Sequence, residues 1–346
     1  KSTNAEKIIH NPILDYLSEN KIFKIYNKFQ KSININNKFA VAVSGGPDSL
    51  SLAFLAKCYA IKNKLDVKFY IVNHNLRNNS LKEAKLVSSN LKKFSINCKI
   101  LNWNGKKPLS NIQAVARGKR FYLLTNQCKK DNINKILLGH HVDDLFENFL
   151  IRLLRGSGLK GLTTFGINSD LKENNIYILR PLIVFEKKDL IYLSKKVFKF
   201  FIKDPSNLNK NFKRIRIRKL IDTLSQEGLD KKKLRLTINN LEDSNNSINF
   251  YVKKNIKNNA KYLKNNDSYI LNKLFFDQPN EIIFRSLSDL IKLIGNNYYA
   301  PRGKSILNLV NMIKNDKIYK KVTLGSCFIQ KFNESILISR EKTLNK

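Results

Sequence analysis

The clearest candidate for chemistry is a short loop of small residues with the sequence SGGPDS, residues 44–49. An apolar run, FAVAV, precedes it, and an apolar helical pattern follows it. Gly45 and Gly46 have no Cβ, so their backbone N–H groups can come close to a ligand. A helix that begins at such a loop directs its positive end toward it. The loop is therefore predicted to bind a phosphate group.

Four further residues of this loop bear on the same chemistry. The hydroxyl groups of Ser44 and Ser49 can donate hydrogen bonds to phosphate oxygens, and Pro47 separates the glycines from an acid, Asp48. Asp48 would repel a phosphate unless a cation lay between them, so it indicates Mg²⁺. The alternative is a glycine-rich turn between a strand and a helix that binds no ligand.

A second candidate site is an acid cluster in the stretch GHHVDDLFENF, which follows a predicted strand. Asp143, Asp144 and Glu147 lie at the start of a predicted helix, with Asp144 and Glu147 one turn apart. Acids stabilise a helix N-terminus without any ligand, which is the alternative interpretation. Because the chain has only 27 acids, a site for a metal, an amine or another cation is the sharper hypothesis. His140 and His141 could orient a phosphate or transfer a proton, although histidine pairs are also often structural.

The elements that must position these residues alternate between strands and helices. Strands are predicted at 39–43, 68–73, 98–101, 135–138 and 176–179. Helices are predicted at 48–63, 80–94, 111–129, 142–154 and 186–201. This alternation predicts an α/β fold with a Rossmann-like parallel sheet and helices on both faces. Ligands bind at the carboxyl edge of such a sheet.

The composition changes after this region, and we predict a domain at 1–222 and a smaller, mainly helical region at 223–346. The second region contains amphipathic helical patterns at 279–294 and 303–315 and ends in a predicted β hairpin. No apolar run approaches the roughly 18 residues that cross a bilayer. The first residues also lack the apolar stretch of a secretory signal. A soluble, cytoplasmic protein with no membrane partner is expected.

The net charge indicates the kind of partner, and the cysteines indicate which metal or disulfide sites are absent from the prediction. The formal net charge is +37. A codon bias toward Lys would also enrich Glu, so this excess indicates a cationic surface suited to a polyanion. A membrane surface fits less well, because the charge is spread along the chain. The four cysteines form no C-x-x-C pair, which argues against a zinc ribbon, an iron–sulfur site or a disulfide framework.

The motifs resemble those of a known family. SGGPDS after an apolar strand resembles the PP-loop of the ATP pyrophosphatases, which cleave ATP between its α- and β-phosphates. The segment from His140 to Gly158 resembles a tRNA(Ile)-lysidine synthase segment, His-His-x-Asp-Asp-Gln-x-Glu-Thr followed by Arg-Gly-Ser-Gly. Leu145 replaces the Gln of that pattern, and Asn148 replaces its Thr.

Three other stretches resemble the same family. NHNLRNNS at 73–80 is similar to its Asp-His-x-Leu-Arg segment, with Asn73 in place of the Asp. QAVARGKRFYLL at 113–124 is similar to its Glu/Gln-Ala-x-Ala-Arg-x-x-Arg-Tyr helix and keeps Arg117 and Arg120. DPSNLNKNFKRIRIR at 204–218 is similar to its Asp-Pro-Ser-Asn and Arg-Asn-Arg-Ile-Arg run, with Ile215 in place of the Asn. The resemblance is specific over about 39–218 and weak beyond it.

The resemblance implies a fold of the PP-loop type and a ligase. Such an enzyme uses ATP to adenylate the wobble cytidine of isoleucine tRNA with a CAU anticodon and releases pyrophosphate. The amine of free L-lysine then displaces AMP. Residues 1–222 would be the catalytic domain, and 223–346 would recognise tRNA.

The implied site residues fall into three groups. The ATP site comprises the six loop residues from Ser44 to Ser49 with His74, Arg77, Arg117 and Arg155. Candidate catalytic residues are Asp48, Asp143, Asp144, Glu147 and His140. Mg²⁺ would be held by Asp48 with Asp143, or with Asp144 in its place. Lysine must attack as a neutral amine, although its free pKa is about 10.4. Glu147 or Asp144 is predicted to hold the amine and to take its proton.

Two alternatives remain open from the sequence. A PP-loop tRNA sulfur transferase would thiolate a base, but such enzymes generally need paired or cluster-binding cysteines. A non-catalytic RNA-binding protein on the same fold would gain affinity for RNA by losing acids, yet the acid cluster and Asp48 are both present.

Overall fold

The computed structural model describes residues 11–77, 79–105, 108, 112–163, 165, 176–202, 213–297, 300–318 and 320–341. The chain forms two compact units, residues 1–238 and 239–346. The boundary predicted at 222 lies inside a helix, Lys213–Gln226. The assignment of catalysis and tRNA recognition to separate parts stays a prediction.

A five-stranded parallel sheet forms the centre of the first unit, as the sequence predicted. Its strands are β1 (Phe39–Val43), β2 (Val67–Asn73), β3 (Cys98–Asn102), β4 (Lys135–Leu137) and β5 (Tyr177–Leu179). The order across the sheet is β3-β2-β1-β4-β5. From β1, the next two strands, β2 and β3, are added on one side of the sheet, whereas β4 and β5 are added on the other side of β1. The strand order therefore reverses between β1 and β4. Ligands bind at such a switch point, beyond the carboxyl ends of the strands.

Helices cover both faces of this sheet. They are α1 (Asn20–Ser32), α2 (Pro47–Lys62), α3 (Ser80–Lys92), α4 (Ile112–Lys130), α5 (Val142–Leu153), α6 (Leu159–Leu162), α7 (Lys187–Phe198) and α8 (Lys213–Gln226). Helix α9 (Lys231–Asn259) begins in this unit. Short 3-10 helices lie at Pro12–Ser18 and Pro181–Val184. Helix α1 and the segment before it were not predicted.

Side chains of β1 alternate between two hydrophobic cores, as they must in a strand that is covered on both faces. Phe39, Val41 and Val43 belong to the larger core, which also includes residues of α1, α2, α3 and α7. Ala40 belongs to a smaller core with residues of α4 such as Leu124. This two-sided burial fixes the sheet, and with it the positions of the loops at its carboxyl edge.

The second unit combines helices with an antiparallel sheet. The helices after α9 are α10 (Lys273–Phe276), α11 (Asn280–Ile294) and α12 (Gly303–Lys314). The strands are β6 (Ala260–Leu263), β7 (Ser268–Leu271), β8 (Val322–Leu324), β9 (Cys327–Phe332) and β10 (Ser335–Arg340), in the order β6-β7-β10-β9-β8. The β9–β10 hairpin confirms the predicted terminal hairpin, whereas β6 and β7 were not predicted.

Residues of α11, such as Ile283 and Leu287, share a core with Ile329 and Ile338 of the sheet. Among the helices of the described ranges, none is both long enough and apolar enough to span a bilayer.

Candidate functional site

The loop after β1 has a backbone that its glycine makes possible. Gly45 has a φ of +83°, and a Cβ at this position would lie 2.5 Å from Val87 Cγ2. Any side chain would therefore clash with α3 and strain the backbone. The carbonyl oxygen of Gly45 also accepts a hydrogen bond from the Ile202 backbone N–H, at 2.9 Å. The loop is held on both sides before it reaches Pro47, where α2 begins.

Ser49 closes this loop from the first turn of α2. Its Oγ accepts a hydrogen bond from the Ser44 backbone N–H and donates one to the Gly46 carbonyl oxygen, each at 3.0 Å. The side chain is buried, whereas Ser44 and Gly46 line an open cavity. This geometry favours Ser49 as the residue that shapes the loop and Ser44 as the one that can face a ligand.

A second close approach brings the acid cluster to the loop. Gly139 follows β4, and a Cβ there would lie 3.2 Å from both the Cα and the backbone N of Ser49. The absence of a side chain lets the segment after β4 pack against the start of α2. The sequence analysis did not identify Gly139 as a site residue.

His141 stands between the two groups of acids. Its Nδ1 accepts a hydrogen bond from the Asp143 backbone N–H at 3.2 Å, which assigns the proton of the neutral ring to Nε2. Nε2 lies 3.6 Å from Asp144 Oδ2 and 3.8 Å from Asp48 Oδ2. The Asp143 carboxylate lies at the other edge of the ring, 3.7 Å from Nδ1.

The cap of α5 holds these residues in place. Asp144 Oδ2 accepts a hydrogen bond from the His141 backbone N–H at 3.0 Å, which completes a capping box with the His141 side chain. The apolar face of α5, including Phe146 and Phe149, is buried. After the two ligands predicted from the sequence, we call the loop with Asp48 and Asp144 the phosphate side of the cavity, and Asp143 with Glu147 the amine side.

Basic side chains from three later helices contact the acids. Lys187 Nζ of α7 lies 2.5 Å from Asp48 Oδ2. Arg218 Nε of α8 lies 2.5 Å from Glu147 Oε1, and Lys231 Nζ of α9 lies 2.8 Å from Asp143 Oδ1. The sequence analysis missed all three cations, which lie 139, 71 and 88 positions from their partners.

Two carboxylate oxygens in this site remain without a hydrogen-bond partner. They are Asp48 Oδ1 and Glu147 Oε2, both buried and both unpartnered within the described ranges. Burial raises the pKa of Glu147 above its ordinary value, although the hydrogen bond from Arg218 works in the opposite direction. A buried acceptor without a partner is costly, so each oxygen is suited to a cation that arrives with the substrates.

These residues surround a cavity of about 600 Å³. Six acids line it: Asp48, Glu83, Asp143, Asp144, Glu147 and Asp222. Four basic residues line it: Arg77, Lys187, Arg218 and Lys231. Acids thus outnumber Lys and Arg in the lining by six to four, inside a chain of net charge +37. The local field therefore favours cations where the chain as a whole repels them.

Several predicted site residues lie elsewhere. His140 packs edge-on against Phe165, with ring centroids 5.0 Å apart, and burial lowers its pKa to about 3. Burial likewise lowers the pKa of His74 to about 4, and its Nε2 accepts a hydrogen bond from Arg120 Nε at 3.3 Å. Neither histidine is among the cavity-lining residues of the described chain.

Only some of the arginines predicted for the ATP site line the cavity. Arg77 lines the cavity and pairs with Glu83 at 3.2 Å, while Arg117 and Arg155 are exposed and do not appear among its described lining residues. Arg180 was not predicted at all. It is buried, and its guanidinium lies 4.7 Å from the centre of the Phe165 ring, which also contacts His140. Burial, with a smaller contribution from Arg117, lowers its pKa to about 10.

The donor set of the phosphate side fits a magnesium ion. Within the described ranges, no three His, Cys, Asp or Glu side chains come together as a ready-made metal site. Mg²⁺ commonly takes one or two carboxylates and completes its shell with waters and substrate phosphates. The open Oδ1 of Asp48 beside Asp144 matches that requirement.

Comparison with known proteins shows the family that the chain resembles. Residues 16–224 match the PP-loop domain family. The chain is 35% identical to the tRNA(Ile)-lysidine synthase of Wolbachia pipientis over 323 residues, which cover 91% of this chain and 74% of that protein. It is also 35% identical to the tRNA(Ile)-lysidine synthase of Orientia tsutsugamushi, over 88% of this chain and 70% of that protein.

A solved structure matches the fold. The U34-tRNA thiolase NcsA from Methanococcus maripaludis, with its [4Fe-4S] cluster, aligns with a TM-score of 0.55 over 64% of this chain and 80% of its own. The two sequences are 19% identical, so the likeness concerns the fold alone.

Proposed function

The chain belongs to the tRNA(Ile)-lysidine synthase family of PP-loop enzymes, and from this premise we propose that it joins L-lysine to isoleucine tRNA with a CAU anticodon. Membership makes it an enzyme that modifies tRNA by ATP-dependent ligation. The observation that carries the specific proposal is the cavity at the switch point, where a phosphate-binding loop meets four acids.

The proposed reaction has two steps. In the first, an oxygen of the wobble cytidine attacks the α-phosphate of ATP, and pyrophosphate leaves. In the second, the amine of lysine attacks the activated carbon of the base, AMP leaves with the oxygen, and the amine loses a proton. The cavity offers a separate group of residues for each step.

The phosphate side serves the first step. Backbone N–H groups of the loop and the positive end of α2 attract the phosphates. The Ser44 hydroxyl donates to Ser49 Oγ at 3.1 Å and would turn to donate to a phosphate oxygen. Asp48 and Asp144 would hold Mg²⁺, which neutralises phosphate charge as pyrophosphate leaves. The geometry favours Asp144 as the partner of Asp48, because both carboxylates face the same edge of His141.

The amine side serves the second step. A lysine ammonium is attracted to the ionised Asp143 and Glu147, which lie one helical turn apart on α5. The free Oε2 of Glu147 is the acceptor that can take the proton as the amine attacks. A raised pKa brings this carboxylate closer to the basicity that a general base needs.

The tRNA is bound, in this proposal, by the basic surface. A net charge of +37 supplies many Lys and Arg contacts to phosphates. Arg77 lines the cavity and its side chain is 48% exposed, so it is a candidate for contact with a phosphate of the anticodon.

Thiolation is the competing chemistry, and the cysteines do not support it. Burial raises the pKa of Cys58, Cys98 and Cys128 to about 12 and that of Cys327 to about 11. A thiol with such a pKa is protonated at neutral pH and is a poor nucleophile. These four cysteines also form no cluster among the described residues, so they give no basis for an iron–sulfur site.

The proposal is tested by incubating the protein with ATP, Mg²⁺, labelled lysine and individual tRNA transcripts. The expected result is label in isoleucine tRNA with the CAU anticodon, and none in methionine tRNA with the same anticodon. Omission of ATP should abolish the label. If no tRNA is labelled while pyrophosphate is still released, the nucleophile of the second step is not lysine.

A further inference from the structure

Two of the four cations that line the cavity, Lys187 and Lys231, carry the same primary ammonium as the side chain of the proposed substrate. Lys231 Nζ lies 2.8 Å from Asp143 Oδ1, on the amine side. The other cations of the cavity lining contact other acids. Lys187 contacts Asp48 beside the phosphate loop, and Arg218 presents a planar guanidinium to Glu147. Among the ion pairs of the described residues, the Lys231 contact is therefore the one that places a primary ammonium on the amine side.

The position of Lys231 allows it to leave. It is the first residue of α9, and it follows a short turn in which Gly228 has a φ of +89°. About half of its side chain is exposed, at 51%, whereas Asp143 is 27% exposed. A four-carbon stem in this setting exchanges conformations readily, and a half-exposed ion pair is weak.

We propose that the Lys231 ammonium occupies, in the ligand-free protein, the subsite that the side-chain ammonium of free lysine takes during the reaction. This inference rests on the proposed function and deepens it. Lys231 keeps the amine side neutral until lysine arrives, and substrate lysine must displace it from Asp143. Weakly binding amines that lack further contacts would then compete poorly against the internal ammonium.

The expected size follows from competition with an internal group. Apparent affinity falls by the fraction of protein in which the subsite is open. For an exposed ion pair, the ratio of protein with the subsite closed to protein with it open is about 1.4 to 5. The KM is raised by one plus this ratio, so removing the pair should lower the KM for lysine about two- to sixfold. The pair with Asp143 remains in Lys231→Arg, so this variant should keep a KM close to that of the wild type.

The experiment measures lysine transfer to isoleucine tRNA as a function of lysine concentration, in the wild type, Lys231→Met, Lys231→Arg and Lys232→Met. Lys232 is the matched control, because it removes the same charge from the next position of α9. Inhibition by butylamine is measured in parallel, as is the Mg²⁺ concentration for half-maximal pyrophosphate release. Thermal unfolding and circular dichroism show whether each variant is folded.

The expected result is a lower KM for lysine and stronger inhibition by butylamine in Lys231→Met alone. An unchanged or higher KM in the folded Lys231→Met variant would overturn the inference. A lower Mg²⁺ requirement with an unchanged KM would assign Lys231 to the metal site and overturn it as well. If the wild type releases pyrophosphate but transfers no lysine, the proposed function itself fails, and this inference fails with it.

Discussion

The two edges of the His141 ring face carboxylates in different surroundings. On the phosphate side, Asp48 and Asp144 lie 3.8 and 3.6 Å from the same nitrogen, Nε2, so their oxygens converge, although Asp48 also contacts Lys187. On the amine side, Asp143 and Glu147 each contact a different basic residue. Converging carboxylates suit one small divalent ion, whereas separately paired carboxylates suit an ammonium that replaces another cation. Four acids within one short region can thus divide two steps between them.

The largest effect is expected from the phosphate side. Asp48→Asn keeps the shape of the side chain but removes the charge that a metal requires, so pyrophosphate release should fall about 10³-fold. Binding of tRNA should change little, because the substitution removes an acid from a basic protein. Pyrophosphate release and tRNA binding are measured on the same preparation.

Asp66→Asn is the control for this substitution. Asp66 lies before β2, at the opposite edge of the sheet, and contacts Lys68 at the surface. It should release pyrophosphate at the wild-type rate. A normal rate of pyrophosphate release in Asp48→Asn would show that Asp48 does not hold the metal.

The next largest effect is expected from the amine side, where a substitution should slow lysine transfer but not adenylation. Glu147→Gln keeps the size of the side chain but loses the charge and basicity, so lysine transfer should slow about 100-fold. Formation of the adenylated tRNA should continue. Glu334→Gln, in the turn between β9 and β10, should leave both steps unchanged. Loss of the first step in Glu147→Gln would place this residue with the metal or ATP.

Binding to the basic surface should depend more strongly on salt concentration than binding in the acidic cavity. We expect tRNA affinity to fall at least tenfold between about 50 and 200 mM salt, since several phosphates are neutralised. The KM for lysine, a contact in a recessed cavity, should change far less. The two are measured by filter binding and by transfer kinetics, and equal salt dependence would contradict the distinction.

The smallest effect concerns pH. Because burial raises the pKa of Glu147 above the ordinary value of 4.5, the carboxylate becomes protonated at a higher pH than an exposed Glu. At saturating lysine, the transfer rate should therefore fall on the acid side at a pH above 4.5. Glu147→Gln should lose this acid limb. A limb that persists unchanged in the variant would come from another group.

The parts of the fold that the sequence predicted are those with a local pattern. All five strands of the parallel sheet, and the loop after β1, follow from apolar runs and from glycines next to them in the chain. Strands β6 and β7 have four residues each, and AKYL and SYIL carry too short a pattern to distinguish a strand from a helix end.

The cations of the site could not be predicted, for a physical reason. Lys187, Arg218 and Lys231 reach their acids only because α7, α8 and α9 pack near the carboxyl edge of the sheet, and no spacing in a chain with 64 basic residues distinguishes them. His140 shows the converse. Its neighbour His141 faces the acids, while His140 turns toward Phe165, and sequence alone does not separate two adjacent histidines.

The division of labour across the His141 ring requires that adenylation be complete before lysine acts. The most direct measurement incubates the protein with isoleucine tRNA, Mg²⁺ and ATP labelled at the α-phosphate, without lysine. The account predicts that label becomes attached to tRNA, and that a chase with unlabelled lysine releases it as AMP while lysidine forms. If no label joins the tRNA and AMP forms only when lysine is present, the two sides act in one concerted step, and the account is contradicted.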